Sequence, residues 1–236
     1  MTAKIQTRWV AMKNSDTGYQ GYLALPPAGK GPGIVLYQEI FGVNGHIRGV
    51  AEQYAQDGFV VLAPDMFWRG AQKVELGYEG ADRERALELM KSLKPEEIQA
   101  DVKAAVATLR ALPEVAGQKV GAVGYCLGGR LAYFSAALTD VNAAVSYYGG
   151  GIQDNLQVVD KIKVPMQFHY AENDHAIPLE AVEKVKAAFG DRAEFFVYPG
   201  AQHGFNCWDR ASYHPRSAAL AHGRTLEFFA QNLYAQ

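Results

Sequence analysis

The chain has 236 residues, of which 49% are hydrophobic and 20% charged, and its formal net charge at pH 7 is −2. That composition supplies a sizeable apolar core and gives no cationic surface to gather a polyanion, so nucleic acid is not expected as a partner. No apolar run approaches the ~20 residues needed to cross a bilayer, residues 1–8 lack the apolar stretch of a secretory signal, and the two cysteines are expected to be reduced, which together predict a cytoplasmic enzyme without membrane association.

Taken in chain order, residues 5–11 and 21–25 read as an opening strand pair joined by the polar turn Asn14-Ser15-Asp16-Thr17-Gly18. Short continuous apolar runs follow at 33–37, 59–62, 119–123, 143–147, 164–168 and 193–198, the pattern of strands buried on both faces. Helical segments fall between them. Pro95-Glu96-Glu97 opens one, with Ile98, Val102, Val106 and Leu109 on a single stripe and Pro113 beyond its end. Pro178 opens another, striped by Val182, Val185 and Phe189, and the segment 211–233 holds a final helix whose start lies near Pro215. The alternation predicts an α/β fold, a mostly parallel sheet of about eight strands with helices on both faces, in a single domain over residues 1–236.

The most informative segment is Gly124-Tyr125-Cys126-Leu127-Gly128-Gly129, between the strand at 119–123 and a small-residue helix at 130–138. It matches the G-x-S-x-G nucleophile elbow with cysteine in the serine position. A sharp strand-to-helix turn holds the nucleophile in a strained conformation, and the flanking glycines allow strand and helix to approach. The helix N-terminus offers unpaired N–H groups and favours a thiolate, with the Leu127 N–H as one oxyanion donor. The alternative is a small buried cysteine in a glycine-rich turn.

An elbow of this kind predicts the chain order nucleophile, acid, histidine, each partner in a loop beyond a strand. Asp174 meets the requirement for the acid, with Glu172 as a competitor and a helix-capping role as the bland reading. His203, in Pro199-Gly200-Ala201-Gln202-His203-Gly204-Phe205, falls where the base belongs. His46, His169, His175, His214 and His222 are placed in helices, in a strand or beside the acid. Cys126 would attack a carbonyl, His203 would accept its proton and later activate water, and Asp174 would orient the imidazole. Glu39 lies just past the strand at 33–37, on the same sheet edge.

Gln38-Glu39-Ile40-Phe41-Gly42-Val43-Asn44, the cysteine elbow, the Asp174 loop and His203-Gly204-Phe205 together resemble the dienelactone hydrolase (carboxymethylenebutenolidase) family over nearly the whole chain. The resemblance implies a cofactor-free, monomeric enzyme that opens a carboxylated lactone ring in the breakdown of aromatic compounds. It further implies that Glu39 assists thiolate formation once substrate binds, that the Ile40 N–H is the second oxyanion donor, and that Arg83, or Arg85 two positions on, binds the substrate carboxylate. One departure stands out. Where well-known members carry a second carboxylate-binding arginine, this chain has Cys207, and Leu87 and Met90 replace aromatic residues. Arg210 or Arg216 could substitute from further along the loop. Phe41, Phe67, Trp68, Tyr148 and Trp208 are candidate apolar walls of the pocket.

Other classes of function find less support. His169, Glu172, Asp174 and His175 could gather around a metal, but no ligand motif is present and none is expected. A thiol redox protein lacks the C-x-x-C pair, and a Cys126–Cys207 bridge would require close Cα atoms and an oxidising setting. A non-catalytic ligand-binding relative would have no need of the complete nucleophile, acid and base.

Overall fold

The computed structural model describes residues 4–13 and 18–234. One eight-stranded sheet runs through it in the order β1-β2-β4-β3-β5-β6-β7-β8. The strands are β1 (Gln6–Ala11), β2 (Gln20–Leu25), β3 (Gly33–Tyr37), β4 (Val60–Pro64), β5 (Val120–Tyr125), β6 (Ala143–Tyr147), β7 (Met166–Ala171) and β8 (Ala193–Tyr198). The first pair is antiparallel, in register from Gln6 opposite Leu25 to Ala11 opposite Gln20, and β2 pairs antiparallel with β4. Every later pairing is parallel. The turn expected at 14–18 lies outside the described residues apart from Gly18.

β3 to β7 are buried at every position, as their largely apolar runs require of strands covered on both sides. The covering helices are α1 (Gly45–Gln56), α2 (Gly80–Ser92), α3 (Pro95–Ala111), α4 (Leu127–Leu138), α5 (Leu179–Phe189) and α6 (Pro215–Leu233). The chain steps one way along the sheet from β3 to β4, then the other way from β4 to β5 and onward to β8. With right-handed crossovers this places α1 on one face and α3, α4 and α5 on the other. α6 returns to the first face, where its Phe229 meets Tyr54 of α1. Among the described residues no helix is long and apolar enough to cross a membrane.

The reversal of direction leaves β3 and β5 adjacent at the switch point. In parallel sheets of this kind the crevice at the carboxyl ends of the strands is where ligands bind. Glu39, Cys126, Tyr148, Asp174 and His203 all follow the carboxyl ends of sheet strands.

Candidate active site

Cys126 sits between the last residue of β5 and the first of α4, with φ 56° and ψ −116°. A non-glycine residue there stores roughly 1–3 kcal/mol of backbone strain, held by the elements around it. Its N–H donates to the Tyr147 carbonyl at 3.0 Å, and the Gly129 N–H donates to its own carbonyl at 3.0 Å. The glycines of the motif are there for contact. A Cβ on Gly124 would lie 2.0 Å from the Gly128 carbonyl oxygen, and one on Gly128 would lie 2.2 Å from that of Tyr37. The start of α4 is thereby pressed against the end of β3, which brings the Ile40 segment to the elbow. Gln38 fixes that segment: its Nε2 donates to the Glu39 carbonyl at 3.2 Å, and its Oε1 accepts from the Met66 N–H at 3.1 Å. Among the described residues no hydrogen-bond acceptor is found for the N–H of Leu127 or of Ile40, as a site for developing negative charge requires.

Asp174 and His203 converge as their positions predicted. Asp174 Oδ2 is 2.7 Å from His203 Nδ1, while Oδ1 accepts from the N–H groups of Ala176 at 2.8 Å and Ile177 at 3.1 Å. The Asp174 carboxylate is therefore oriented by backbone and in turn orients the imidazole, leaving Nε2 free to face the elbow. The Cys126 thiol lies close enough to the same imidazole to act on its charge. Burial opposes the charged imidazolium, but an ionised Cys126 together with the Asp174 carboxylate outweighs it, and the net push on the His203 pKa is upward. Glu172, the competing acid, instead accepts from the Gly200 N–H at 2.8 Å. His169 is enclosed in the core between Tyr198, Gln167 and Thr225 and does not join a metal cluster.

Glu39 is 1% exposed. Its Oε1 accepts from Arg210 Nη1 at 3.0 Å. Its Oε2 is buried with no hydrogen bond found among the described residues, and the carboxyl group interacts with the Cys207 thiol. Burial raises the Glu39 pKa, against the opposing pull of Arg210 and His203. Burial and the Glu39 charge likewise push the Cys207 thiol up to about 12. Both cysteines are free.

Of the two arginines held in reserve for the altered loop, Arg210 is the one that reaches the site. The loop closes on itself through the His214 N–H to the Phe205 carbonyl at 3.0 Å. Gly204, at φ 79°, gives the guanidinium its path, since a Cβ there would lie 2.3 Å from Arg210 Nη1. Arg210 also lies over the rings of Phe41 and Tyr78 and lines a cleft of about 610 Å³ together with Tyr78 and Gln202. Spacing alone could not single it out, because the loop's closure decides which residue turns inward.

The remaining candidates divide. Tyr148, buried at φ 36°, packs against His203 with ring centroids 5.1 Å apart. Phe41 packs edge-on against Tyr78 at 4.6 Å. Trp68 is not brought to this group: it stacks on Tyr19 at 5.4 Å and its Nε1 donates to Asp101 of α3 at 3.1 Å. Arg83 is exposed on α2, and Arg85 beside it pairs with Glu88 at 3.0 Å.

Comparison with known proteins agrees with this geometry. The chain is 36% identical over 211 residues to a carboxymethylenebutenolidase of a Pseudomonas species, covering 89% of this chain and 88% of the relative. It is 35% identical over 228 residues to the carboxymethylenebutenolidase of Pseudomonas putida, covering 95% and 96%. Among solved structures, a Klebsiella pneumoniae protein provisionally named dienelactone hydrolase superposes with a TM-score of 0.82 at 29% identity, covering 96% of this chain and 99% of that one. The dienelactone hydrolase family model matches residues 19–233, and with its eight-stranded α/β-hydrolase sheet the chain belongs to that family.

Proposed function

We propose that the protein is a cysteine-dependent hydrolase that opens a small carboxylated enol-lactone through a thioester acyl-enzyme. The observation that carries this reading is the His203 imidazole, held by Asp174 at 2.7 Å on one nitrogen and close to the Cys126 thiol. The Asp174 carboxylate stabilises the imidazolium and the start of α4 stabilises negative charge on sulfur, so transfer of the thiol proton to His203 gives a thiolate and imidazolium pair. The thiolate attacks the lactone carbonyl, and the resulting oxyanion is received by the N–H groups of Leu127 and Ile40. Collapse breaks the ring C–O bond. The enolate oxygen takes the proton from His203, and the opened chain remains on sulfur as a thioester. His203 then removes a proton from water and hydroxide adds to the thioester; the thiolate departs and takes that proton back from His203 as the free thiol, and the acid product gives its own proton to solvent and leaves as a carboxylate. Enol and aryl esters suit a thiol nucleophile because their leaving groups depart readily.

Substrate recognition follows from charge. Arg210, reaching the site from a different loop position, compensates for Cys207 and offers a cation to a substrate carboxylate once Glu39 moves toward the thiol. Arg83 is the second candidate cation, at the surface of α2. A single-domain monomer in the reducing cytoplasm fits two unpaired cysteines. The altered loop also favours a second reading, an esterase of the same family acting on a different small ester or lactone.

The test is a turnover panel comparing dienelactone with neutral aryl esters, for the unmodified enzyme and for Cys126→Ala and Arg83→Ala. Loss of all turnover in Cys126→Ala is expected. Full activity in that variant would overturn the cysteine mechanism, and aryl-ester turnover without dienelactone turnover would overturn the lactone assignment in favour of the second reading.

A further inference from the structure

Behind Arg210 lies a cluster of which the proposed hydrolytic steps use Glu39 alone. Glu39, His46 and Cys207 each present a potential ligand atom, and the three atoms lie within 4.8 Å of one another. Glu39 and His46 are 1% exposed and Cys207 is 0% exposed. Among the described residues, neither ring nitrogen of buried His46 has a hydrogen-bond partner, and Glu39 Oε2 has none apart from the nearby Cys207 thiol. A buried polar atom left unpaired costs about 1–3 kcal/mol, and native structures rarely leave several in one place without an ion or solvent molecule to satisfy them.

The surroundings suit a bound cation. Around a tetrahedral zinc ion with bonds of 2.0–2.3 Å the ligand atoms stand about 3.3–3.8 Å apart, so modest side-chain adjustment closes the trio. Arg210 already grips Glu39 Oε1 and leaves Oε2 as the unpaired oxygen, the arrangement by which an outer partner steers a metal-binding carboxylate. Trp208 packs edge-on against His46 with centroids 4.2 Å apart and fixes the ring. Trp208 is itself 43% exposed, so this wall of the cluster reaches solvent. The donor set selects the ion. Calcium and magnesium prefer oxygen ligands alone, whereas sulfur, imidazole and carboxylate together suit zinc. The Cys207 proton would leave to solvent, and the two negative ligands would balance the dication, with Arg210 retaining its pairing to Oε1.

We propose that Glu39 Oε2, an imidazole nitrogen of His46 and the Cys207 thiolate form a binding site for a zinc-class divalent cation, separate from the nucleophile elbow. The experiment uses full-length Cys126→Ser protein, so that Cys207 is the sole remaining thiol. Titration with Zn²⁺ against a chromophoric chelator is expected to reach one equivalent. Titration with Co²⁺ is expected to give a thiolate-to-cobalt charge-transfer band with tetrahedral ligand-field absorption, a signature that only Cys207 can supply in that protein. Adding His46→Gln, or Cys207→Ser, should weaken zinc binding by more than the ~100-fold typical of losing an outer partner. Absence of stoichiometric zinc binding, a cobalt spectrum without the thiolate band, or zinc affinity unchanged by both added substitutions would each overturn the proposal.

Discussion

Replacing Arg210 with methionine removes the counterion of Glu39 while keeping much of the side chain's apolar volume. The Glu39 side chain is 1% exposed and that of Arg210 21%, so the carboxylate has almost no water to fall back on. Removing one partner of a buried pair typically costs about 3–5 kcal/mol. Glu39 has an escape, which is to take up a proton, and this sets a ceiling. Starting from an ordinary carboxyl value of 4.5, holding the acid neutral costs about 1.4 kcal/mol per pH unit above that value, roughly 3.4 kcal/mol at pH 7 and 1.4 kcal/mol at pH 5.5. The sign follows from proton counting. A carboxyl whose folded-state pKa lies above its unfolded value binds more protons when folded, so stability falls as pH rises through that window. Arg210→Met should therefore lose about 3 kcal/mol at pH 7 and about 1 kcal/mol at pH 5.5 in urea unfolding followed by circular dichroism. Adding Glu39→Gln should recover most of the pH 7 loss, because no charge is then left buried. A loss below about 1 kcal/mol at pH 7, with no dependence on pH, would show that Glu39 does not rely on Arg210 and refute the argument.

Asp174→Asn keeps the shape of the carboxyl group but removes its charge and destabilises the productive imidazole tautomer; kcat for an activated ester should drop by about 10³–10⁴-fold with KM little changed, and a drop under tenfold would argue against the orienting role. Gly128→Ala places a methyl group 2.2 Å from the Tyr37 carbonyl oxygen and 2.6 Å from that of Gln38. Neither backbone atom can yield cheaply, so loss of at least about 2 kcal/mol of stability together with turnover is expected, and a stable, fully active variant would contradict the close approach. His169 is fully enclosed, and burial drives its pKa well below the ordinary value near 6.5. Its unfolded state therefore gains a proton first on acidification, and this residue should contribute a loss of about 1.4 kcal/mol of stability per pH unit as pH falls below roughly 6.5. His169→Gln should flatten the stability profile by that slope, as measured by urea unfolding across pH 5–7, and an unchanged slope would count against a neutral buried imidazole.

The architecture was legible because it rests on local rules. Short apolar runs at 33–37 and 143–147, each bounded by polar or turn residues, fit strands covered on both faces, and proline with acidic residues at 95–97 marks a helix start, so β3, β6 and α3 lie where they were expected. The elbow was legible for a similar reason: its glycines answer a steric demand that is the same in any strand-to-helix turn of that sharpness. Asp174 and His203 followed from chain order and from the convergence of parallel strands at one edge.

Contacts between loops distant in sequence were beyond that reasoning. Arg210 and Glu39 stand 171 positions apart, and their pairing depends on the bond from His214 to Phe205 that folds the intervening loop inward. Trp68 turned to Asp101 rather than to the pocket, since an indole N–H finding a buried acceptor outweighs mere adjacency in the chain. The grouping of Glu39, His46 and Cys207 arises from a strand end, a helix face and a late loop meeting in space. Periodicity and turn chemistry act over a few residues and carry through to the sheet and its crevice, whereas the partner of each buried charge is chosen by which distant side chain packing leaves within reach.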